Sequence, residues 1–455
     1  MELTFKREYV MARELLVGLG ESVITPKENL QMHGFGKSQV ATGTHDDLHS
    51  RCMIVKDDRG KTAALLVVSF VEIEERELAN RMRDVVAKAA DIERKDIMLT
   101  CTHTHSGPNL TVASDSYIEY LMKQIDQSAQ EAVNSLKPST IGVSVGEQLE
   151  VGKNRRRLLY GGMHPDPQLA VIKIADLSGK LRGLIFNYGC HPATLDWRNT
   201  LYSEDWPYYA IKGIKEEVGD DAWVCFLQGA QGDINTGYDS LLSAIGAYMP
   251  VRDFPYIQYK GKQMAQSVIE LLKNAEMQGS FSVDVIAKNY ELPLRNSFPI
   301  TMKEAEENVR IAEKNLRKIE NKPEYKGSRK LDKYITELYS AKQTLALAED
   351  FYSGDLPKKE STELQVIRIG EIVFFALPGE VFSEIALKIK EKSPYKNTFA
   401  VGVANGYYAY MPTKEEFVDG DYEVDGSKFS PETEDVFIEA TLEIINNIKM
   451  QEDRF

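Results

Sequence analysis

The sequence contains no long run of apolar residues. Nowhere in its 455 residues does a stretch approach the roughly 20 consecutive apolar residues that a membrane-spanning helix needs. Residues 1–7 also lack the apolar core of a secretory signal peptide. We therefore expect a cytoplasmic protein without a stable membrane anchor.

The sequence also has fewer positively charged residues than negatively charged ones. The chain has 55 Lys and Arg residues against 69 Asp and Glu residues, so its formal net charge is -14. Phosphate-rich partners need clustered cations, so this balance argues against a general nucleic-acid surface or an anionic membrane surface. No segment concentrates Phe, Leu and Trp in a way suited to docking on lipid. We expect a small-molecule substrate.

Cysteine is scarce, and its spacing contains no paired metal-binding motif. The four residues are Cys52, Cys101, Cys190 and Cys225. Three of them lie in or at the end of predicted strands. Because a free thiol behaves as a small apolar side chain, we predict buried free cysteines.

Strand-like apolar runs alternate with helical periodicity along most of the chain. Thr62–Val68 form a buried-strand run, residues 78–89 carry apolar residues at helical spacing, and residues 97–99 form the next strand. This order is a βαβ signature. It predicts an α/β fold, with a mixed β-sheet flanked by helices.

Five predicted strands end directly in polar or metal-binding residues. The segments that follow them are residues 102–108, 190–192, 228–235, 378–380 and 405–410. In α/β proteins, ligands bind beyond the carboxyl ends of strands, so we expect these turns to meet in one crevice. That crevice is the candidate active site.

One region departs from this alternation. Apolar residues repeat at three- and four-residue spacing over residues 302–319 and, less regularly, over residues 331–348. The two stripes predict an antiparallel helical hairpin, inserted at residues 298–356 of a single catalytic domain that spans residues 1–455. The hairpin is either a structural insertion packed on itself or a lid or dimerisation arm that would make a homo-oligomer.

The order of the polar turns is distinctive. His103 opens a His-Thr-His-Ser-Gly-Pro motif, His191 lies in a His-Pro pair, and a Pro-Gly-Glu motif ends at Glu380. A Gly-Asp pair at residues 232–233 and a Tyr-rich turn from Asn405 complete the series. Over nearly the whole chain, this order resembles the neutral ceramidase family, as a short bacterial-type member without the carboxy-terminal β-domain. The resemblance implies a zinc-dependent hydrolase with one Zn²⁺ per chain.

The resemblance implies four metal ligands, namely His103, His191, Glu380 and Tyr410. A catalytic zinc accepts such nitrogen and oxygen ligands, keeps one position for water and lowers the pKa of that water toward neutrality. Each residue also has an alternative role: a histidine can be a core residue, Glu380 can favour a helix start, and Tyr410 can pack as an aromatic ring. Two histidines and two oxygens would also suit Mn or Fe.

The same resemblance places further groups around the substrate. His105, Arg155 and Tyr422 match positions that would hold the substrate and stabilise the oxyanion formed when water attacks an amide or ester carbonyl. Asp205 and Asp233 would orient a ligand histidine or the water, unless they only cap a helix and form a turn. Arg155 opens a three-Arg run, a pattern that is usual on a solvated face.

One departure from the family pattern bears on the substrate. The family has a Ser after Gly-Asp-Val, close to the metal, where this chain has Asn235. Asn forms hydrogen bonds but cannot act as a nucleophile. Together with the missing lipid-docking segment, this makes a carbohydrate ester, a lactone or an N-acyl sugar an alternative to ceramide. A non-catalytic zinc-binding scaffold protein is a further alternative.

Overall fold

A computed structural model describes residues 15–35, 39–240, 252–278, 281–298, 300–326, 328–354 and 357–452. In these residues the strands are β1 (Leu15–Val23), β2 (Gly43–Thr44), β3 (His49–Lys56), β4 (Thr62–Val68), β5 (Ile97–Cys101), β6 (Lys137–Glu147), β7 (Lys153–Asn154), β8 (Gln168–Asp176), β9 (Leu181–Tyr188), β10 (Leu201–Tyr202), β11 (Trp223–Gln228), β12 (Ile234–Asn235), β13 (Glu276–Met277), β14 (Val283–Pro293), β15 (Lys359–Ile369), β16 (Ile372–Ala376), β17 (Glu380–Val381), β18 (Asn397–Val401) and β19 (Tyr410–Met411). The α-helices are α1 (Arg76–Ala90), α2 (Asp115–Asn134), α3 (Trp206–Val218), α4 (Phe254–Lys273), α5 (Met302–Arg317), α6 (Arg329–Tyr352), α7 (Ser383–Lys392), α8 (Glu416–Asp419), α9 (Tyr422–Asp425) and α10 (Thr433–Glu452).

The larger of two main sheets is mixed. Its strand order is β11-β9-β8-β6-β1-β3-β4-β5, and β13 adds to β6. The outermost pairs, β9 with β11 and β4 with β5, are parallel, and the pairs between them are antiparallel. The predicted α/β class and mixed sheet are confirmed.

A smaller sheet, in the order β14-β15-β16-β18, packs against the larger one. Met53 and Ile185 of the larger sheet share one buried cluster with Phe374 and Phe399 of the smaller sheet. Helices α1 and α2 cover part of the outer face of the larger sheet, and α3 and α4 cover another part. Helices α7 and α10 cover the smaller sheet. The chain therefore forms a helix-sheet-sheet-helix arrangement, with two sheets where the sequence predicted one.

Two long antiparallel helices stand where the sequence predicts a hairpin. A capping box formed by Thr301 and Glu304 starts α5, and the Ser328 side chain caps α6. The ends of the pair are tied by a 2.9 Å hydrogen bond from the Tyr352 hydroxyl to the Ile300 carbonyl. The role of this hairpin as an insertion, lid or dimerisation arm stays a prediction.

The four cysteines are buried and free, as predicted. Within the described ranges, no helix combines the length and apolar character that crossing a membrane would require.

Candidate metal centre

Four of the polar turns meet at the carboxyl ends of strands from both sheets. His103 follows β5 and His191 follows β9, in the larger sheet. Glu380 follows β16 and Tyr410 follows β18, in the smaller sheet. Strands β17 and β19 pair in parallel with Glu380 directly opposite Tyr410. The predicted crevice therefore exists, and it lies between the two sheets.

Both candidate histidine ligands are held by backbone carbonyls. The Nδ1 atom of His103 lies 2.6 Å from the Val71 carbonyl oxygen, and that of His191 lies 2.8 Å from the Ile234 carbonyl oxygen. Because a carbonyl only accepts, each Nδ1 carries the proton and donates. Each Nε2 then presents its lone pair to the site, as in a metal-binding histidine.

The contact between His191 and Glu380 is the most informative in the site. The Nε2 atom of His191 lies 2.8 Å from Oε2 of Glu380, and it also accepts a hydrogen bond of 3.2 Å from Nη1 of Arg155. Burial, followed by Arg155, lowers the pKa of His191 to about 4, so the ring is neutral. Two acceptors therefore face each other, a contact that needs positive charge nearby, and Arg155 supplies part of that charge. The residues present fit a divalent metal.

Glu380 is positioned by both of its oxygens. Oε2 lies 3.4 Å from His103 Nε2 as well as 2.8 Å from His191, whereas Oε1 accepts a 2.7 Å hydrogen bond from the Tyr407 hydroxyl. Burial raises the pKa of Glu380, but positive charge beside it, a proton on His103 or a metal ion, outweighs burial and holds the pKa well below its ordinary value. The carboxylate is therefore ionised, which is the form that ligates a metal.

His105 belongs to the same cluster but is held differently. Its Nε2 atom lies 3.4 Å from that of His103, while its buried Nδ1 has no hydrogen-bond partner among the described residues. Gly34 and Phe35 pack on the ring, and a Cβ added at Gly34 would lie 2.6 Å from it. Burial, followed by His103, lowers the pKa of His105 well below its ordinary value. His105 is thus a neutral imidazole without the carbonyl that fixes the two candidate ligands.

Arg155 is buried against the cluster. Its Nε donates to Glu423 at 2.7 Å and its Nη2 donates to the Gly232 carbonyl at 2.8 Å. Nη2 also donates to the Tyr410 hydroxyl at 3.2 Å. The guanidinium therefore lies between His191 and Tyr410, so the solvated-face interpretation fails for Arg155. It also fails for Arg156, whose side chain is 3% exposed and pairs with Glu423.

Two tyrosines line the same cleft as Arg155 and two of the histidines. The rings of Tyr410 and Tyr422 lie 5.8 Å apart, and both line a narrow cleft with a volume of about 20 Å³. Burial, followed by Glu380, raises the pKa of Tyr410 well above its ordinary value, so phenolate formation there requires a cation. Burial, followed by the nearby Tyr339 of α6, raises the pKa of Tyr422. Tyr422 is thus a protonated hydroxyl that can donate a hydrogen bond.

Three other residues that the sequence predicts for the site form hydrogen bonds to backbone groups. The Asp233 carboxylate accepts from the Ser383 amide at 2.8 Å, at the start of α7, and its carbonyl accepts from the Arg155 amide at 2.9 Å. The Asn235 side chain closes its own turn with bonds to Gly237 and Tyr238. Asp205 caps α3. In the part of the chain that the structure describes, no hydrogen bond joins these three side chains to the histidine cluster.

Sequence reasoning missed two residues of the site. Tyr407 lies in the Tyr-rich turn that follows Asn405, and no role is predicted for it there, although its hydroxyl fixes Glu380. Glu423 was not singled out, although it neutralises both Arg155 and Arg156. A buried run of arginines requires buried carboxylates, which is the signal that could have led to Glu423.

Comparison with known proteins gives a family match for the first part of the chain. Residues 15–236 match the family model described as neutral/alkaline non-lysosomal ceramidase, N-terminal. Over these residues, just under half of the chain, the protein is similar to this family. A neutral ceramidase from Mycobacterium tuberculosis is 23% identical, and the match covers 90% of this chain and 73% of that protein. A neutral ceramidase from Pseudomonas aeruginosa is 22% identical, over 75% of this chain and 58% of that protein.

The fold of the ceramidase family extends across the described chain. The crystal structure of the Pseudomonas aeruginosa neutral ceramidase superposes with a TM-score of 0.74 at 20% sequence identity. The match covers 96% of this chain and 75% of that chain. The fold expected from the resemblance is therefore confirmed.

Proposed function

We propose that this protein is a zinc-dependent hydrolase that cleaves an amide or ester bond, with the metal held by His103, His191, Glu380 and Tyr410. The convergence of His103 and His191 Nε2 on Oε2 of Glu380, at 3.4 and 2.8 Å, carries this proposal because nitrogen and oxygen donors so placed suit a divalent metal. Zinc would act there as a Lewis acid and activate water at neutral pH. Manganese or iron would satisfy the same donors.

The chain's own groups fit the other needs of acyl hydrolysis. Arg155 brings a buried positive charge and Tyr422 a protonated hydroxyl to the cleft, and both can stabilise negative charge on the carbonyl oxygen. His105 is neutral and has a free Nδ1, so it can accept or donate a proton at that atom. This division of roles supports catalysis over a non-catalytic scaffold.

The lining of the cleft bears on the substrate. The curated relatives are named neutral ceramidases, which supports an N-acyl amide as the bond cleaved. The described wall, however, presents Arg155, Tyr238, Ser240 and Tyr422, which are polar or amphipathic. The Asn235 side chain forms hydrogen bonds within its own turn, so it does not replace the hydroxyl of the family Ser. These contacts favour a small polar acyl compound, such as an N-acyl sugar, a carbohydrate ester or a lactone, as the second candidate substrate.

The decisive experiment combines metal analysis with a substrate panel. The panel contains ceramides with short and long acyl chains, N-acyl sugars, carbohydrate esters and lactones. The wild-type protein should turn over at least one member, and His103→Ala should lose both the turnover and one metal ion per chain. His45→Ala is the matched control, because His45 is exposed and bonds only to Tyr209 among the described side chains. A metal-free His103→Ala protein with full activity would refute the proposal.

A further inference from the structure

A second set of metal-competent side chains lies outside the centre described above. The Nε2 atom of His33 is 2.5 Å from Oε1 of Glu72 and 3.9 Å from Oε1 of Glu74. The three donor atoms all lie within 4.8 Å of one another. One imidazole and two carboxylates form a donor set that suits zinc and manganese.

The fold fixes these three residues through the backbone that builds the first centre. Glu72 follows Val71, whose carbonyl holds Nδ1 of His103. His33 is anchored by a 3.1 Å hydrogen bond from its amide to the Gly107 carbonyl, in the loop that follows His105. The cluster is therefore supported by ordered segments on both sides.

Charge and burial in the cluster favour a cation. The side chain of Glu72 is 7% exposed, that of His33 is 28% exposed and that of Glu74 is 50% exposed. Within the described ranges, His33 is the ion-pair partner of both carboxylates, and neither of them pairs with a Lys or an Arg. With a neutral imidazole the set carries two negative charges, one of them on a buried group, and a divalent ion would compensate both.

We propose that His33, Glu72 and Glu74 bind a second divalent metal ion, zinc or manganese, in addition to the ion of the first centre. The exposed Glu74 gives the ion access from solvent, and three protein ligands leave coordination positions for water. Bound there, the ion fixes the segment that presents Gly34 and Phe35 to the His105 ring. It thus acts as a positioning device for His105, and its binding does not depend on the reaction proposed above.

The competing interpretation is a protonated His33 that bridges the two carboxylates without a metal. The two interpretations differ in metal stoichiometry, so the test counts ions. Chelator-treated full-length protein is titrated with Zn²⁺ and, separately, with Mn²⁺ by calorimetry at pH 7.5, and bound metal is counted by elemental analysis after dialysis.

Removal of each centre in turn separates the two ions. We expect two ions per chain in the wild-type protein, one in His33→Ala and Glu72→Gln, and one in His103→Ala, which keeps the second site. The double variant His103→Ala with Glu72→Gln should bind none. An unchanged stoichiometry in His33→Ala, or no remaining ion in a folded His103→Ala protein, would overturn the proposal.

Glu74→Gln tests the second site without disturbing the fold, because Glu74 is exposed and precedes α1. It should weaken binding of the second ion by at least about tenfold while circular dichroism stays at the wild-type level. Glu75→Gln is the matched control, since it removes one carboxylate from the adjacent exposed residue, outside the cluster. Equal affinity in the two variants would also contradict the proposal. Turnover is measured in parallel, so that loss of the first centre is recognised separately.

Discussion

Glu380 divides its two oxygens between the metal centre and the protein. Oε2 faces His103 and His191, and Oε1 accepts the hydrogen bond from Tyr407. A carboxylate fixed in this way cannot rotate to present both oxygens to the site. Partners of this kind orient metal ligands and raise metal affinity.

Tyr407→Phe is therefore expected to weaken metal binding by about 10- to 100-fold, because Glu380 loses its only described hydroxyl donor. Metal affinity is measured by competition with a chelator. Tyr408→Phe is the matched control, because the neighbouring hydroxyl bonds to the Ser361 carbonyl and not to Glu380. Equal metal affinity in Tyr407→Phe and wild type would show that the hydrogen bond does not orient the carboxylate.

Glu423 compensates two buried arginines. It accepts from Arg155 through Oε1 and from Arg156 through Oε2, and its own side chain is fully buried. Burial raises the pKa of Glu423, but Arg155 and Arg156 outweigh it, so the pKa lies below its ordinary value. The carboxylate is consequently charged at neutral pH.

Glu423→Gln should lower the free energy of unfolding by about 3–5 kcal/mol, because it leaves the buried Arg155 guanidinium without its carboxylate, whereas Arg156 keeps Glu416. Urea denaturation at neutral pH measures the change. Glu415→Gln serves as the comparison, since Glu415 is 73% exposed and lies 3.8 Å from Lys388. That exposed pair should contribute no more than about 1 kcal/mol. Equal losses in the two variants would mean that burial of the Arg-Glu cluster does not matter for stability.

At the residue scale, the sequence predicts the members of the candidate site but not the contacts that support them. His103, His191 and Glu380 were found because each lies in a short motif directly after a strand. Glu423 lies 268 residues from Arg155, and nothing local marks their pairing. The histidines are fixed by the backbone carbonyls of Val71 and Ile234. Because every residue has such a carbonyl, the sequence could not predict these contacts.

Among the elements, the short pair of β17 and β19 sets the spacing of two candidate ligands. Glu380 and Tyr410 are opposite each other in this pair, and the Glu380 amide donates to the Ala409 carbonyl at 2.9 Å. Gly379 precedes this contact with a φ of 153°, and a Cβ there would lie 2.5 Å from the Ala409 oxygen. The strand pair can therefore form only because residue 379 lacks a side chain.

Gly379→Ala is expected to destabilise the protein by about 1–3 kcal/mol through backbone strain and to weaken metal binding by displacing Glu380 from Tyr410. Thermal unfolding and chelator competition follow the two effects. In Gly43→Ala, the control in the separate β2–β10 pair, the added Cβ meets only a Leu201 methyl group at 3.4 Å. A Gly379→Ala protein with wild-type metal affinity would show that the strand pair does not set the ligand spacing.

Element prediction was accurate where periodicity is strong. Strand β4 has the predicted bounds. The alternative role for Glu380, at a helix start, does not hold, because α7 begins at Ser383 and Glu380 lies in β17. An apolar run does not show whether its first residues pair with a distant strand, because that pairing partner, Tyr410, is 30 residues away in sequence.

In the molecule as a whole, one segment joins the two edges of the larger sheet. The Gly402 amide donates to the Gln228 carbonyl after β11, and the Cys101 amide at the end of β5 donates to the Val403 carbonyl. Residues 402–405 thus connect both edges to the smaller sheet through β18. No local sequence pattern could have predicted this closure, since it joins strands more than 100 residues apart.

Buried acidic groups set the pH range of stability. Burial raises the pKa of Glu204, but Arg51 and His49 outweigh it, so its pKa is lowered. Its contribution to stability is present above the unfolded pKa of about 4.3 and is lost as the pH falls below that value. Burial raises the pKa of Asp46 to about 8, so its contribution is lost as the pH rises from about 3.9 to 8.

We expect Asp46→Asn to remove part of the decline in unfolding free energy between pH 5 and pH 8. The wild-type carboxyl must ionise in a buried position over this range, whereas the amide stays neutral. Chemical denaturation at a series of pH values measures the slope. Asp47→Asn, the same change at the exposed neighbouring residue, is the control. Identical slopes for Asp46→Asn and wild type would contradict the assignment.

The division of the ligands between the two sheets has a consequence for synthesis of the protein on the ribosome. His103 and His191 emerge with the strands of the larger sheet, but Glu380 and Tyr410 follow only after the hairpin and most of the smaller sheet. A nascent chain of 236 residues, which already contains the region matched by the family model, carries both histidines without either oxygen ligand. On the proposed ligand set, a released polypeptide that ends before Tyr410 lacks part of the candidate metal centre and is expected to be inactive.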